Sequence, residues 1–325
     1  MSDPVIGVDV GASTISAGLV TPDGTVDATV QARSDVPGTV VATILTLVAR
    51  LLAEATARRL RVRGIGVGLP GLVDVEKGVM RPTDGHWMSE LAGVPLARLI
   101  GERTGLAVFA DNDVNALALA EWTWGLGRGV SSLVIVAVGT GIGGGIVVNG
   151  GLLRGSLNTA GEIGHLAVGL DGPRCVCGGV GCLTSYLSGR LIPERVRERL
   201  RAHPGSAVLA RAGGDPARID AQGIFAAAAE GDPLAREVVE QACEALAVAL
   251  GGLANLLNPD VIVLTGGVAA SLASLREDLL ARMRRRTLPA VLDATTLHVR
   301  PADKRDTVRG GAALVRYELD RRRGA

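Results

Sequence analysis

Three of the four cysteines in this chain lie within eight residues of one another. They are Cys175, Cys177 and Cys182, and His165 comes shortly before them. Thiolates and an imidazole are ligands that zinc prefers, and three cysteines with one histidine form one of its usual tetrahedral sets. Glycines between the cysteines let the backbone turn tightly enough for the three sulfurs to meet at one ion. The pattern therefore predicts a structural zinc site formed by these four residues.

Disulfide bonds are the alternative use for clustered cysteines. Cys175 and Cys177 are too close in sequence to bridge comfortably, and three is an odd number. The N-terminus has neither a basic start nor an apolar core before a cleavage site, so we expect a reducing, cytoplasmic compartment, which favours zinc. The fourth cysteine, Cys243, occupies an apolar position of a later helical pattern and is expected to be buried and inert.

Two short turns rich in small residues have the composition of phosphate-binding loops. Their backbone amides can converge on phosphate oxygens, and a hydroxyl group adds a donor. The first turn contains Asp9, Gly11, Ser13 and Thr14, and the second contains Thr140, Gly141, Gly143 and Gly144. Either turn alone is typical of an ordinary hairpin, whereas one in each half of the chain indicates a bound triphosphate. Asp9, at the end of a predicted strand, could hold Mg²⁺ directly or through water.

A further candidate for chemistry lies where a predicted strand meets a predicted helix, at Asn112 and Asp113. A carboxylate at such a junction can act as a general base and take a proton from a hydroxyl group. It can equally be a helix N-cap, because Asp111, Asn112 and Asp113 all suit that position. Taken alone, the residues favour the cap for Asp113 and leave the base as the alternative.

The elements that position these residues repeat one plan in both halves of the chain: a strand, a turn of small residues and a returning strand. Hydrophobic patterning predicts strands over 5–10, 15–20, 26–33, 64–69, 107–110, 133–138, 146–148 and 261–264, and a last strand at His298. Amphipathic helices are predicted over 39–60, 95–104, 114–122, 233–257 and 306–321. Two similar α/β halves predict a two-lobed protein with a cleft between the lobes. A doubly wound nucleotide-binding domain is the rival, but no G-x-G-x-x-G follows the first strand.

Composition restricts the classes of function. A chain of 325 residues with 47% hydrophobic residues is long and apolar enough for two globular domains. The net charge of +1 gives no electrostatic reason to expect nucleic acid as a partner. The longest apolar candidate for a membrane span, residues 242–257, is interrupted by Glu244 and Asn255, so no membrane association is expected.

Several motifs, in this order along the chain, resemble those of the ROK family of repressors, open reading frames and sugar kinases. They span 64–74, 111–116 and 161–165 and end with the cysteine motif, so the resemblance covers nearly the whole chain. It implies the two-lobed actin-like ATPase (RNase H-like) fold, with a small α/β lobe at 1–112 plus 302–325 and a large lobe at 113–301 that carries the zinc. ROK repressors have a winged DNA-binding domain ahead of this module. This chain begins at the first phosphate strand, and so it resembles the kinase branch.

The resemblance also implies roles for individual residues. Asp113 would be the general base that takes the proton of a sugar hydroxyl as this attacks the γ-phosphoryl group of ATP, with Mg²⁺ as cofactor. His165 would bind zinc with one ring nitrogen and face the sugar with the other. The remaining implied contacts are with the sugar at Gly71, Asn112 and Glu162, and with the adenosine half of ATP at Gly266 and Gly267. Family members commonly form dimers, so we expect a homodimer or a higher homo-oligomer.

Three departures from the family pattern concern the substrate. Thr184 stands where the family usually has a glutamate that reaches the sugar near its anomeric carbon. Thr14 replaces a common lysine, and the loop at 82–87 lacks a common asparagine. Glucose is the expected substrate, and N-acetylmannosamine, N-acetylglucosamine, mannose and fructose stay open, as does polyphosphate in place of ATP. A non-catalytic sugar-binding regulator and a zinc-stabilised oligomer without ligand are the alternatives from other classes.

Overall fold

The computed structural model describes residues 3–82 and 88–324. Two compact units divide the chain: unit 1 comprises Met1–Leu133, Gly145–Gly161 and Asp303–Ala325, and unit 2 comprises Val134–Gly144 and Glu162–Ala302. The C-terminal segment from Asp303 thus belongs to the same unit as the N-terminal segment. The two lobes expected from the sequence, with a first boundary after residue 112, stay a prediction; unit 1 continues to Leu133.

Regular elements follow one another throughout the described ranges. The strands are β1 Val5–Val10, β2 Thr14–Val20, β3 Val26–Arg33, β4 Ile65–Leu69, β5 Val73–Asp74, β6 Val79–Met80, β7 Val108–Asn112, β8 Leu133–Val138, β9 Ile142–Val148, β10 Gly151–Leu152, β11 Val261–Thr265 and β12 Thr296–Val299. The α-helices are α1 Val40–Ala57, α2 Leu96–Thr104, α3 Asp113–Trp124, α4 Thr184–Leu187, α5 Leu191–Arg199, α6 Ala207–Arg211, α7 Ala221–Ala229, α8 Pro233–Leu257, α9 Ala269–Leu272, α10 Arg276–Arg284, α11 Pro289–Ala294 and α12 Lys304–Gly324.

Unit 1 is built on a five-stranded sheet of order β3-β2-β1-β4-β7. β1 pairs antiparallel with β2 and parallel with β4, and β4 pairs parallel with β7. The first three strands therefore form an antiparallel meander, which excludes the all-parallel doubly wound domain that was the rival prediction. β1 and β4 are apolar and buried on both faces because helices cover the sheet on both sides, whereas the edge strand β3 alternates half-buried and exposed residues.

Helix α1 packs the apolar stripe predicted from its sequence onto unit 1. Val40, Ile44, Leu47 and Leu51 are buried in the core that the sheet forms. Among the described helices, α1 is the one long and apolar enough to cross a membrane, and it was not the segment that sequence reasoning singled out. Length and composition are weak evidence for a membrane-spanning helix, because the core helix of a soluble domain meets the same criteria. The packed stripe accounts for the apolar character of α1.

A second five-stranded sheet has the order β10-β9-β8-β11-β12, and β11 runs parallel to β12. In unit 2, the long helix α8 has the bounds expected from its sequence because both of its ends carry strong signals. Asp232 caps its N-terminus by accepting a hydrogen bond from the Ala235 amide, Pro233 follows, and Asn258 ends it in the left-handed conformation. β9 begins at Ile142, earlier than the predicted return strand at 146–148.

Candidate functional site

The turn between β1 and β2 carries Asp9 and the first predicted phosphate-binding residues. The Gly11 amide donates to the Thr14 carbonyl oxygen at 3.0 Å, and the Ser34 hydroxyl donates to the Gly11 carbonyl oxygen at 2.7 Å. These bonds fix the turn and leave Ser13 exposed at its tip. Burial raises the pKa of the Asp9 carboxyl to about 6, against the opposing effects of a hydrogen bond from Thr307 and the positive charge of Lys304.

The turn between β8 and β9 contains Thr140 and Gly141, and the start of α5 supports it. The Gly139 amide donates to the Gly141 carbonyl oxygen at 2.9 Å. The amides of Gly189 and Arg190, just before α5, donate to the carbonyl oxygens of Gly139 and Thr140 at 2.8 and 3.2 Å. The turn is therefore held from behind by a second segment of unit 2. Gly143 and Gly144 were grouped with this turn from the sequence, but both lie in β9.

Gly266 and Gly267 follow β11, the strand beside β8 in the sheet. Gly266 has a φ of +108°, and a Cβ atom there would lie 2.3 Å from the Val138 carbonyl oxygen, so only glycine fits this approach. The Val268 amide donates to that same carbonyl oxygen at 3.0 Å. Gly266 and Gly267, the residues expected to contact adenosine, therefore lie beside the end of β8, and β8 leads into the turn that contains Thr140.

Open space lies in front of these two turns of unit 2. A Cβ atom on Gly139, Gly141 or Gly267 would meet nothing within 4 Å among the described residues. Packing within the protein therefore does not require glycine at the three positions. Their exposed backbone is instead available for close approach by a ligand.

The junction of β7 and α3 shows which of the three polar residues 111–113 caps the helix. Asn112 is the N-cap of α3, and its Oδ1 accepts hydrogen bonds from the amides of Val114 at 2.9 Å and Asn115 at 3.2 Å. Its Nδ2 donates to the carbonyl oxygen of Gly71 at 3.1 Å. Asp113 is the first residue of the helix and is half-buried. Its Oδ1 also accepts a hydrogen bond from the Val114 amide at 2.9 Å, although Asn112 is the residue that caps the helix.

Asp9 and the junction of β7 and α3, where Asn112 lies, are at the same edge of the unit 1 sheet. Asp9 pairs with Gly68 across β1 and β4, and Gly68 pairs with Asp111 across β4 and β7. The three strands are parallel, so their carboxyl ends, and the loops that follow them, emerge together. The fold thus brings the predicted cation ligand and the predicted base to one edge.

The four predicted zinc ligands converge within unit 2. Their ligand atoms all lie within 4.8 Å of one another. Nδ1 of His165 is 3.6 Å from Sγ of Cys175, and Sγ of Cys177 is 3.7 Å from Sγ of Cys182. A tetrahedral zinc with bonds of about 2.3 Å to sulfur sets two sulfurs roughly 3.8 Å apart, whereas a disulfide needs about 2.05 Å. The arrangement fits zinc, and the cysteines in the described ranges form no disulfide.

Backbone hydrogen bonds bring the ends of this cysteine loop together. The Val168 amide donates to the Gly181 carbonyl oxygen at 2.8 Å, and the Leu183 amide donates to the Leu166 carbonyl oxygen at 2.9 Å. These bonds flank an antiparallel bridge that places Cys182 near the segment containing His165. A hydrogen bond from the Gly179 amide helps to lower the pKa of the exposed Cys177 thiol to about 7, towards the thiolate that a metal binds.

Glu162 and His165 share one short turn that packs on the start of β9. The His165 amide donates to the Glu162 carbonyl oxygen at 3.0 Å. A Cβ atom on the intervening Gly164 would lie 2.3 Å from the Ile142 carbonyl oxygen, so the turn rests directly on the backbone. Desolvation raises the pKa of the Glu162 carboxyl, and the neighbouring His165 partly offsets this.

Thr184, the predicted departure in the sugar wall, is the first residue of α4 and is buried two residues after Cys182. The cysteine loop therefore leads directly into this short helix. A further departure from the family pattern concerns the loop at 82–87. Residues 83–87 of this loop lie outside the described residues.

A buried ionic cluster beside the Asn112 junction was missed by sequence reasoning. Arg154 contacts Asp111 at 2.8 Å and Glu318 at 2.6 Å. Its partners are 43 and 164 residues away, and a lone arginine after a short strand carries no local signal of such a role. Only the tertiary fold of unit 1 brings the three side chains together.

Comparison with known proteins identifies similar sequences over the whole chain. A model of the ROK family matches residues 5–318. A glucokinase of Thermotoga maritima is 32% identical over 317 residues, which cover 97% of this chain and 98% of that protein.

Solved structures match to a similar extent. A ROK family transcriptional regulator, a homologue of the Escherichia coli MLC protein, has a TM-score of 0.83 at 29% identity, covering 98% of this chain and 79% of the regulator. A ROK family glucokinase from Streptomyces griseus, in complex with glucose and AMPPNP, has a TM-score of 0.75 at 29% identity, covering 97% of this chain and 99% of the glucokinase. The similarity thus extends to enzymes and to a regulator.

Proposed function

The chain belongs to the ROK family, and from this premise we propose that it transfers the γ-phosphoryl group of ATP to a hydroxyl group of a hexose. The observation that carries the proposal is the junction of β7 and α3, where Asn112 caps the helix and Asp113, a half-buried carboxylate, opens its first turn. The glucokinase relative, similar over 98% of its length, supports the same activity. Glucose is the first substrate that we propose.

Asp113 is the proposed general base. Its carboxylate accepts the proton of the attacking hydroxyl, and its place in the first turn of α3 keeps the negative charge near the positive end of the helix dipole. One N–H of the Asn112 side-chain amide donates to the Gly71 carbonyl oxygen, and the second N–H is proposed to donate to a sugar hydroxyl. Gly71 therefore supports the site by orienting Asn112.

The proposed nucleotide site uses the glycine turns of unit 2. The hydroxyl of Thr140 and the open backbone at Gly141 donate to phosphate oxygens, and Gly266 and Gly267 accommodate the adenosine half. Unit 1 has a phosphate-binding candidate of its own in the Gly11–Thr14 turn, and Asp9 at the same turn is the proposed Mg²⁺ ligand. These residues position and stabilise charge, which is the main requirement of phosphoryl transfer.

A structural zinc bound by His165 and the three cysteines is proposed to lock the turn that carries Glu162. Because Nδ1 of His165 faces the sulfur of Cys175, Nε2 is the nitrogen left for the sugar. The zinc supplies rigidity rather than chemistry. Thr184 is too short to act as the usual glutamate, so mannose, fructose and N-acylated amino sugars are the other substrates to test. We further propose a cytoplasmic homo-oligomer.

The test is ADP release from ATP and Mg²⁺ with glucose, mannose, fructose, N-acetylglucosamine and N-acetylmannosamine, together with calorimetric titration of each sugar. Turnover with one sugar supports the kinase and shows what a site with Thr184 accepts. Binding without turnover supports instead a sugar-sensing regulator, which the structural match to a transcriptional regulator favours as the second candidate. Inactivity without binding contradicts both.

A further inference from the structure

The cluster of Asp111, Arg154 and Glu318 joins three separate segments of unit 1. Arg154 follows β10, Asp111 lies in β7 and Glu318 lies in α12. The guanidinium Nε donates to Oδ2 of Asp111 at 2.8 Å, and Nη2 donates to Oε1 of Glu318 at 2.6 Å. The side chain of Arg154 is 11% exposed, that of Asp111 is 1% exposed and that of Glu318 is 7% exposed. One cation thus bridges two carboxylates in the interior, where losing one partner is costly.

Asp111 connects this cluster to the proposed catalytic junction. Its second oxygen, Oδ1, accepts a hydrogen bond from the backbone amide of Asn112 at 2.7 Å and another from Nδ2 of Asn115 at 3.0 Å. Asn112 is the N-cap of α3, and Asn115 lies in the first turn of the same helix. The backbone of the residue immediately before Asp113 is therefore held by the carboxylate that Arg154 holds.

Arg154 is itself held in place by α12 and by its own segment. Its Cζ atom lies 5.5 Å from the ring centroid of Tyr317, in a cation–π arrangement. The Tyr317 hydroxyl accepts a hydrogen bond from the Leu152 amide at 3.1 Å, two residues before Arg154. The guanidinium therefore has a fixed position and a fixed plane, and it transmits both to Asp111.

We propose that Arg154 is a positioning residue for the phosphoryl transfer: by holding the Asp111 carboxylate in one orientation, it fixes the Asn112 backbone and thereby the direction of the Asp113 carboxylate. The inference rests on the proposed function. Without the guanidinium, Asp111 loses the buried partner that orients its side chain, and it turns away from its present position. That movement weakens its charge-assisted bond to the Asn112 amide.

The first test is Arg154→Lys, which keeps the charge but lacks the planar fork that bridges two carboxylates. We expect kcat per folded molecule to fall by about tenfold or more, because small misplacement of a reacting group is costly, while KM for ATP changes less than about twofold. Arg282→Lys is the matched control. Arg282 also bridges two carboxylates, Glu244 and Asp278, but in α10 of unit 2, and we expect kcat to stay at the wild-type value.

A second variant covers the case in which Arg154→Lys does not fold. Asp111→Asn keeps an oxygen that can accept from the Asn112 amide but loses the ion pair with Arg154, so we expect the same selective loss of kcat. A kcat within about twofold of wild type in every folded variant overturns the positioning role, even if the melting temperature falls. Wild-type protein that turns over no sugar overturns the proposed function as well, so the two failures are distinct.

Discussion

Replacing Gly164 by alanine tests how closely the proposed sugar-binding turn depends on its support. The new Cβ would lie 2.3 Å from the Ile142 carbonyl oxygen and 3.1 Å from the Ile142 carbonyl carbon, whereas Cβ contacts below 3.0 Å are essentially not observed. The backbones of the turn and of β9 must therefore separate by at least about 0.7 Å, the difference between the two distances to oxygen. Backbone atoms on both sides leave no flexible side chain to absorb the shift.

The expected magnitudes follow from this displacement. Overpacking of this kind costs about 1–3 kcal/mol of unfolding free energy, and each kcal/mol lowers Tm by roughly 2–4 °C in a folding unit of the size of unit 2, which carries Gly164. Glu162 and His165 flank Gly164 and must move with it, so kcat/KM for the sugar should fall by about tenfold to a hundredfold, as expected for misplacement approaching 1 Å.

The assay compares Gly164→Ala with Gly252→Ala by thermal unfolding and steady-state kinetics. Gly252 lies in α8, where an added Cβ meets nothing within 4 Å among the described residues. That control should gain about 0.5–1 kcal/mol because alanine is the better helix former, with unchanged kinetics. Wild-type Tm and kcat/KM in Gly164→Ala would refute the close packing on Ile142 and the role of this turn together.

Three further outcomes are expected. Asp113→Asn should lower kcat by about 10²–10⁴-fold with sugar binding retained in calorimetric titration, whereas Asp293→Asn, at an exposed position of α11, should leave kcat unchanged; full activity of the first variant contradicts the base assignment. Metal analysis should find about one zinc per chain, lost in Cys182→Ser and kept in Cys243→Ala, and active wild-type protein without zinc would exclude the site. Because burial raises the pKa of Asp9 to about 6 and the carboxylate is the form that binds cations, kcat/KM for MgATP should fall as the pH drops through about 6, and a flat profile from pH 5 to 7 would count against that role.

The sequence predicted elements best where local signals were strong. The bounds of α8 were predicted correctly because Asp232, Pro233 and Asn258 mark its ends, and β3 was predicted because the sequence of residues 22–24 marks the turn before it. The start of β9 was misjudged because Gly143 and Gly144 suggest a turn, although the pairing of the sheet holds them as strand. Glycine allows both conformations, and only the neighbouring strand decides.

Some features of the candidate site could likewise be predicted from the sequence, and others could not. Residue types alone pointed to the four side chains whose possible ligand atoms converge in unit 2, since the chemistry of thiolates and imidazole does not depend on the fold. The sequence could not show which ring nitrogen of His165 faces the sulfurs, nor that Asn112 rather than Asp113 caps α3. Those facts depend on side-chain direction, and the cluster around Arg154 depends on segments far apart in sequence.

The placement of α12 has a consequence for how the protein is made. This helix, the last element of the chain, packs on β1, β4 and α3, brings Lys304 and Thr307 to Asp9, and brings Glu318 to Arg154. During synthesis, the strands of the unit 1 sheet leave the ribosome first, and one face of the sheet stays uncovered while the 191 residues between Asn112 and Lys304 emerge. Nascent chains should therefore be protease-sensitive in unit 1 until α12 has emerged, and a product that ends before Asp303 should be recognised as unfinished by chaperones and proteases rather than accumulate as a partly active enzyme.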